Sequence, residues 1–530
     1  MQKEEPIANE VLSDMESDVS EEKILNRLGY KQSLERCYSF FENFSASFTA
    51  VNVMSGMRTT FTFGMALGGP QAYWATCSSS VLILITAAVL AETCSALPAA
   101  GSIYFWAAAS GGPRFGRLFG YVVAWWSTTA WISFVASSAQ VCANFLFSEA
   151  AVFGLSWNTD TSNVRFRAVQ WIVSEAILLV CFAINYMPPK MYRWVFRVGV
   201  LIVFVDFFLN IIWLPIGVSQ TYGFQDADWV FTKFENLTGG PDAWAWMLCY
   251  FATGGVQIGF DASGHVAEET KSASSVAAKG LFWSAVTSVA MACPIALLLL
   301  FCSPSLDQIF SLTAPQPFVQ VYALALGQRA HIAATVISVF SVLASATVSI
   351  VAASRLVYAI ARDGVLPFSS WIGQINPKTH QPQNAVTTMY IVAAVLLCSI
   401  LPSSMAFQSL VSCAAVPTVA AWGLISFGRL FLSDLKQHKP KFNLGILSKP
   451  FLVVSLLWNT FMAAVLFSPQ EFPVSSQNFN YAPVVMGIVT IFALLCYFII
   501  PEDKWLRNIP AVKQEPDAAS AVSASADSTD

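Results

Sequence analysis

The chain alternates between long apolar runs and short polar connectors, and the runs share one characteristic length. Twelve fall near residues 42–66, 73–97, 115–147, 168–186, 195–218, 244–264, 280–302, 331–361, 384–401, 406–431, 450–468 and 481–499. A helix needs about 20 apolar residues to cross the hydrocarbon of a bilayer. The pattern therefore predicts an all-α integral membrane protein with twelve transmembrane helices. The third and eighth runs are longer than a crossing requires, so they are expected to tilt or to project into water.

Connector charge supplies an orientation. One alternating set of loops, with the two tails, carries about 20 Lys and Arg, whereas the other set carries about 4. Basic residues concentrate on the cytoplasmic side, so both termini are expected there. A wrongly added or omitted run in the middle would destroy this alternation. Residues 1–36 hold eight acidic residues between Glu4 and Glu22 with few apolar ones, and residues 501–530 end in a Ser/Ala/Asp-rich stretch. Both are expected to be disordered cytoplasmic tails, flanking a twelve-helix domain over 37–500. The start lacks the basic residues and apolar core of a secretory signal.

Composition sharpens the class. Hydrophobic residues make up 55% of the 530, and charged residues only 11%, against about 25% in soluble domains. The net charge of -4 shows no basic excess of the kind a nucleic-acid partner requires. The partners expected are a lipid bilayer and a small substrate. Most of the eleven cysteines, among them Cys77, Cys94, Cys181 and Cys293, sit in apolar runs without a C-x-x-C spacing; they are expected to act as small hydrophobes. Asn236-Leu237-Thr238 is a glycosylation sequon in an outer loop, or equally an Asn/Thr turn beside Gly239-Gly240-Pro241.

Two runs are polar and glycine-rich where a spanning helix should be uniform. The first contains Asn52-Val53-Met54-Ser55-Gly56-Met57-Arg58, and the sixth contains Thr253-Gly254-Gly255-Val256-Gln257-Ile258-Gly259-Phe260-Asp261. They are corresponding members of two five-helix halves, about 42–218 and 244–431. Matched interruptions point to an inverted-repeat transporter with its site at the midplane. Each break frees N–H groups at one half-helix start and C=O groups at the other half-helix end, the complements of a carboxylate and of an ammonium. The glycines would alternatively serve close helix packing alone.

At these residues the chain resembles the amino acid–polyamine–organocation superfamily, and its fungal amino acid/GABA/choline permease branch in particular. The likeness spans roughly 28–500. It rests on Leu28-Gly29-Tyr30, Glu42-Asn43-Phe44, Gly68-Gly69-Pro70, the stretch from Ala91-Glu92-Thr93 to Phe105-Trp106, Phe260-Asp261-Ala262-Ser263-Gly264-His265, Ser354-Arg355 and Arg362-Asp363-Gly364, in that order. The resemblance implies a LeuT-like fold with helices 1–5 and 6–10 as inverted repeats and discontinuous helices 1 and 6. It also implies alternating-access transport coupled to protons, with no cofactor. Ser55, Gly56, Gly255, Val256, Gln257 and Gly259 would then line the substrate site, beside Asn52 and Gly254. Arg58 departs from the small or hydroxyl residues usual in the family.

Ionisable side chains inside spans are costly, so each is a functional candidate. Asp261 would bind a substrate cation, take the coupling proton, or cap the second half-helix. Arg58 would pair with Asp261, hold an anionic substrate group, stand in for a coupling cation, or form a salt bridge away from the substrate. Asp206 would relay protons or bond locally to the first or eighth helix. Glu92 and Arg355, near cytoplasmic helix ends, have gating or structural roles open to them. Ser338, Ser341, Ser345 and Ser349 form one stripe on the eighth run, where they permit close packing; Ser345 and Ser349 would also offer oxygens to a bound cation.

Function follows as far as a class. His265, His331, His380 and His438 lie far apart, and no hydrolase or metalloprotease motif is present, which argues against an enzyme. No repeated filter loop suggests a channel. The reading is a secondary transporter of amino acids or amines such as GABA in the plasma membrane. Choline, polyamine or thiamine transport, with a cage built from Phe260, Trp125 or Trp126, is the alternative, together with a non-transporting nutrient receptor.

Overall fold

A computed structural model describes residues 21–155, 158–403, 407, 414–433, 440–476 and 478–500. Among them, nine helices are long and apolar enough to cross a membrane. The three expected runs outside that set coincide with the two interrupted segments and with the shorter apolar helix Val416–Phe431.

The first segment begins where Ser39 and Glu42 form a capping box and runs as α1 (Phe40–Val51), α2 (Val53–Thr59) and α3 (Phe61–Gly68). Helices α4 (Pro70–Ala96), α5 (Ser102–Ser110), α6 (Gly112–Val152), α7 (Val164–Ile184) and α8 (Pro189–Gln220) complete the first half. The sixth segment is α9 (Asp242–Leu248), α10 (Phe251–Val256) and α11 (Ala262–His265). Then come α12 (Ala273–Phe301), α13 (Phe318–Arg362), α14 (Gln383–Leu397), α15 (Val416–Phe431), α16 (Ser448–Phe467) and α17 (Ala482–Ile499).

The main packing faces join α12 to α4 and α1, α13 to α6 and α8, and α15 to α16. The two interrupted segments thus pack among longer helices. The window of α17 is largely exposed whereas that of α6 is mostly buried, as expected when one helix faces lipid and the other faces protein.

Three features differ from expectation. Helix α13 starts at Phe318, ahead of the eighth run, and Gly327, with φ 81°, breaks it in its first third before that run begins. Only a residue without Cβ adopts that geometry cheaply. Helix α5, nine residues long and entirely buried, is too short for a spanning run to reveal. Finally, residues 21–36 are not a free tail: 21–27 are helical, and Leu25, Leu28, Tyr30 and Leu34 are buried against the helical body. The surrounding acidic residues obscure these apolar positions in the sequence. Residues 1–20 and 501–530 lie outside the described residues.

Candidate functional site

Asn52 organises the first break. It adopts the left-handed conformation, φ 39° and ψ 64°, which asparagine tolerates better than most residues. Its N–H still bonds Phe48 O, ending α1. Its side-chain oxygen accepts from Ser55 N at 3.4 Å, capping α2. Its side-chain nitrogen donates to Ser341 O and Oγ on α13, both at 3.0 Å. One side chain therefore stops one helix, starts the next and ties both to a third.

The carbonyl groups freed at the end of α1 are partly taken up by the hydroxyl stripe: Ser345 Oγ donates to Ala50 O at 3.1 Å. Ser338 instead bonds Ala334 in its own helix, and Ser349 Oγ is buried without a hydrogen-bond partner among the described residues.

The sixth segment leaves helical geometry after Val256 and resumes at Ala262, with Gly259 at φ 99°. Ser47 Oγ joins the two breaks, donating to Phe260 O at 2.6 Å and accepting from Ser263 N at 2.9 Å. Gly56 lets α2 meet α10 closely: a Cβ there would stand 3.2 Å from Val256 Cα. Gly254 and Gly255 lie within α10, and their surroundings are outside what is described.

Beside the breaks is a cavity of about 670 Å³, within the size range of small-molecule sites. Asn52, Ser55, Gly56, Thr59 and Thr60 line it from the first segment, Ile258 from the sixth, and Ser345 from α13. Helix α6 contributes Phe134, Ser137 and Ser138, and the loop before α17 contributes Glu471, Phe479 and Tyr481. Among the described residues no Lys or Arg lines it.

A smaller adjoining space shares Phe134, Ile258 and Ala414 with this cavity and adds Trp131, Gly259 and Asp261. Asp261 is 1% exposed, and neither carboxylate oxygen has a hydrogen-bond partner among the described residues. His265 Nε2, one helical turn on, stands 3.4 Å from Oδ2. The His265 ring lies edge-on to Trp131 at 5.7 Å. An unsatisfied buried carboxylate is expensive. Here it lines the smaller space, which adjoins the large cavity. Asp261 forms no side-chain cap of α11.

Several expected site residues lie elsewhere. Arg58, for which a salt bridge away from the substrate was among the open readings, is fully buried and bonds Asp206 in fork geometry, at 2.9 and 3.0 Å. Tyr322 accepts a further bond from Arg58 at 3.0 Å and donates to Asn210. A guanidinium without water needs a carboxylate facing it, and Asp206 on α8 is placed there while Asp261 is not. Asp206 is thereby fixed as the partner of Arg58. Val256 packs on Gly56. Gln257 turns away, its nitrogen bonding Ser80 Oγ at 3.1 Å, beside Trp422 and Trp458.

Glu92 accepts from Arg429 at 2.6 Å, Ser448 at 2.7 Å and Leu444 N at 2.9 Å, stapling α4 to α15 and α16. Arg355 bonds Glu269 at 2.6 Å, on the face opposite the 468–481 loop. The Asn236 amide nitrogen donates to Gly240 O and Asp242, both at 2.9 Å, and its oxygen accepts from Thr238, closing a turn. The proposed aromatic cage does not form: Phe260 packs tilted against Trp422 at 4.5 Å, while Trp125 meets Phe492 and Trp126 bonds Thr490 on α17. Phe63, Phe134, Phe251 and Trp131 are the rings that helical segments place beside the two spaces. As aromatic residues within apolar runs, they carry no signal separating them from core residues. His265 had one, its i,i+4 spacing from Asp261.

The sequence pattern of amino acid permeases matches residues 41–491. The thiamine transporter thi9 of Schizosaccharomyces pombe is 48% identical over 521 residues, covering 93% of this chain and 87% of that protein. The amino-acid permease BAT1 of Arabidopsis thaliana is 25% identical over 508 residues, covering 91% and 95%. A manganese transporter of Eremococcus coleocola shares the fold, with TM-score 0.52 at 13% identity, over 88% of this chain and 97% of its own. With breaks, cavity and relatives in agreement, the chain belongs to the amino acid permease family, within the amino acid–polyamine–organocation superfamily of membrane transporters.

Proposed function

We propose that this transporter carries a small organic cation of the thiamine class, through the cavity between the two breaks and by alternating access. The observation that carries the reading is Asp261, buried without a hydrogen-bond partner beside a cavity that no Lys or Arg lines among the described residues. A cation with an aromatic body would place its charge toward Asp261 and its ring among Phe134 and Trp131, where ring faces also attract positive charge. The Arg58–Asp206 pair removes the positive charge that would otherwise oppose such a substrate. The 48% identity to a protein named as a thiamine transporter supports the same choice.

The family description favours a second reading, an amino acid or GABA. The carboxylate of such a substrate would need the first N–H groups of α2, and Asn52 already caps that end with its own side chain. Residence in the plasma membrane, cytoplasmic termini and proton coupling belong to the proposal; loop charge supports the placement of the termini.

Uptake of labelled thiamine, choline, polyamines, GABA and neutral amino acids, measured across external pH in transport-deficient cells, tests it. Saturable thiamine uptake that collapses with a protonophore is expected. Amino acid uptake without thiamine uptake overturns the cation reading, and binding without uptake of any compound would indicate a receptor.

A further inference from the structure

The connection between α16 and α17, residues 468–481, is tightly organised. Asn480 closes its base, donating to Leu466 O at 2.8 Å and Ser468 O at 3.0 Å. Asn478 braces the tip, accepting from Ser475 N at 2.6 Å and donating to Pro473 O at 3.0 Å. Tyr481 OH donates to Ser476 O at 3.0 Å.

The loop is also docked on the approach to the sixth segment. Phe472 N donates to Thr238 O at 2.7 Å, and Trp244 Nε1 donates to Pro469 O at 3.1 Å. Gly239, at φ 73°, leaves room for the Phe472 carbonyl where a Cβ would collide. The result is a braced rim that places Glu471, Phe479 and Tyr481 on the large cavity. The two rings meet edge to face at 4.9 Å. Glu471 is exposed, is the one acidic side chain among the described cavity-lining residues, and has no ion pair or hydrogen bond among the described residues.

We propose that this rim is a receiving site for the cationic substrate, distinct from the Asp261 end of the route: Glu471 draws the cation in and Phe479 and Tyr481 hold its ring. The inference rests on the cation reading above. A carboxylate at the mouth raises the local concentration of a cation and is screened by salt; its effect therefore falls on capture rather than on the later steps of translocation.

The test is labelled-thiamine uptake by the full chain in transport-deficient cells, with surface protein quantified, for wild type, Glu471→Gln and Phe479→Leu at low and high ionic strength. Glu471→Gln is expected to raise KM roughly three- to tenfold at low salt with the maximal rate unchanged, and the difference should shrink at high salt. Phe479→Leu should raise KM with no salt dependence of the difference. Thiamine uptake with an unchanged KM in Glu471→Gln overturns the receiving site and leaves the cation reading standing. A lowered maximal rate at unchanged KM assigns the loop a purely structural role and likewise overturns it. If wild type carries amino acids and no organic cation, both proposals fall.

Discussion

At the scale of single residues, the decisive pair is Arg58 with Asp206. Both side chains are fully buried, and their bidentate contact is extended by Asn210 and Tyr322. Removing one member strands the other charge, at a cost of about 3–5 kcal/mol, whereas replacing both with apolar residues is far milder. Asp206→Asn and Arg58→Met are each expected to lower the thermal midpoint of purified protein in detergent strongly, and the double variant Arg58→Met/Asp206→Leu to recover most of the loss. A double variant no better than the singles would contradict a self-contained pair. That each residue was special was legible from its rarity in a span. Which partner each took was not, because 148 positions separate them and Asp261, at the matching break, was an equally open partner for Arg58. Asp261 itself was legible as a candidate, whereas its unsatisfied state is a property of three-dimensional packing only.

At the scale of elements, the breaks were visible because Gly, Asn and Ser are wasteful in a uniform spanning helix. Their mechanics were not visible: Asn52 serves as stop, cap and tether, and Ser345 receives the orphaned end of α1. Gly56 carries the close approach of α2 to α10. A valine there would press its extra carbons into Val256, already 3.2 Å from an added Cβ, so Gly56→Val is expected to cut uptake by more than tenfold while protein still reaches the membrane. Gly56→Ala should do less, since a shift of a few tenths of an ångström accommodates it. Equal uptake in Gly56→Val and wild type would show that the two half-helices need not approach. Helix α5 and the packed stretch 21–36 escaped the pattern for opposite reasons, one being too short for a span and the other too acidic to look buried.

At the scale of the whole molecule, the cavity reaches the 468–481 loop while the opposite face is shut. There Arg355 bonds Glu269 and Gln381, Arg362 bonds Glu268 at 2.9 Å, and Asp363 accepts from Tyr30 and Tyr104. Burial pushes the Asp363 carboxyl above its ordinary range. The segment before α1 is woven into the same lock, since Cys37 N and Tyr38 N both donate to Glu269 O at 2.9 Å. A transporter that alternates must break this face open while closing the other, and weakening the lock shifts the population toward the opposite state. Arg355→Ala is therefore expected to reduce labelling of a cavity cysteine, Ser345→Cys, by an impermeant thiol reagent applied from the side of the 468–481 loop, relative to the same cysteine in the parent chain. Unchanged or increased labelling would show that the network is structural support rather than a closed gate. The helical class and the paired interruptions could be read from the linear pattern; the state in which the molecule rests could not, since it depends on contacts between residues such as Tyr30 and Asp363, 333 positions apart.

The central claim, that an organic cation neutralises Asp261, is tested most directly by equilibrium binding of labelled thiamine to the purified protein and to Asp261→Asn, with both shown to be folded. The account predicts saturable binding to wild type that neutral amino acids do not displace, and its loss in Asp261→Asn. Thiamine binding of equal affinity in both proteins, or binding to wild type displaced by neutral amino acids, would contradict it.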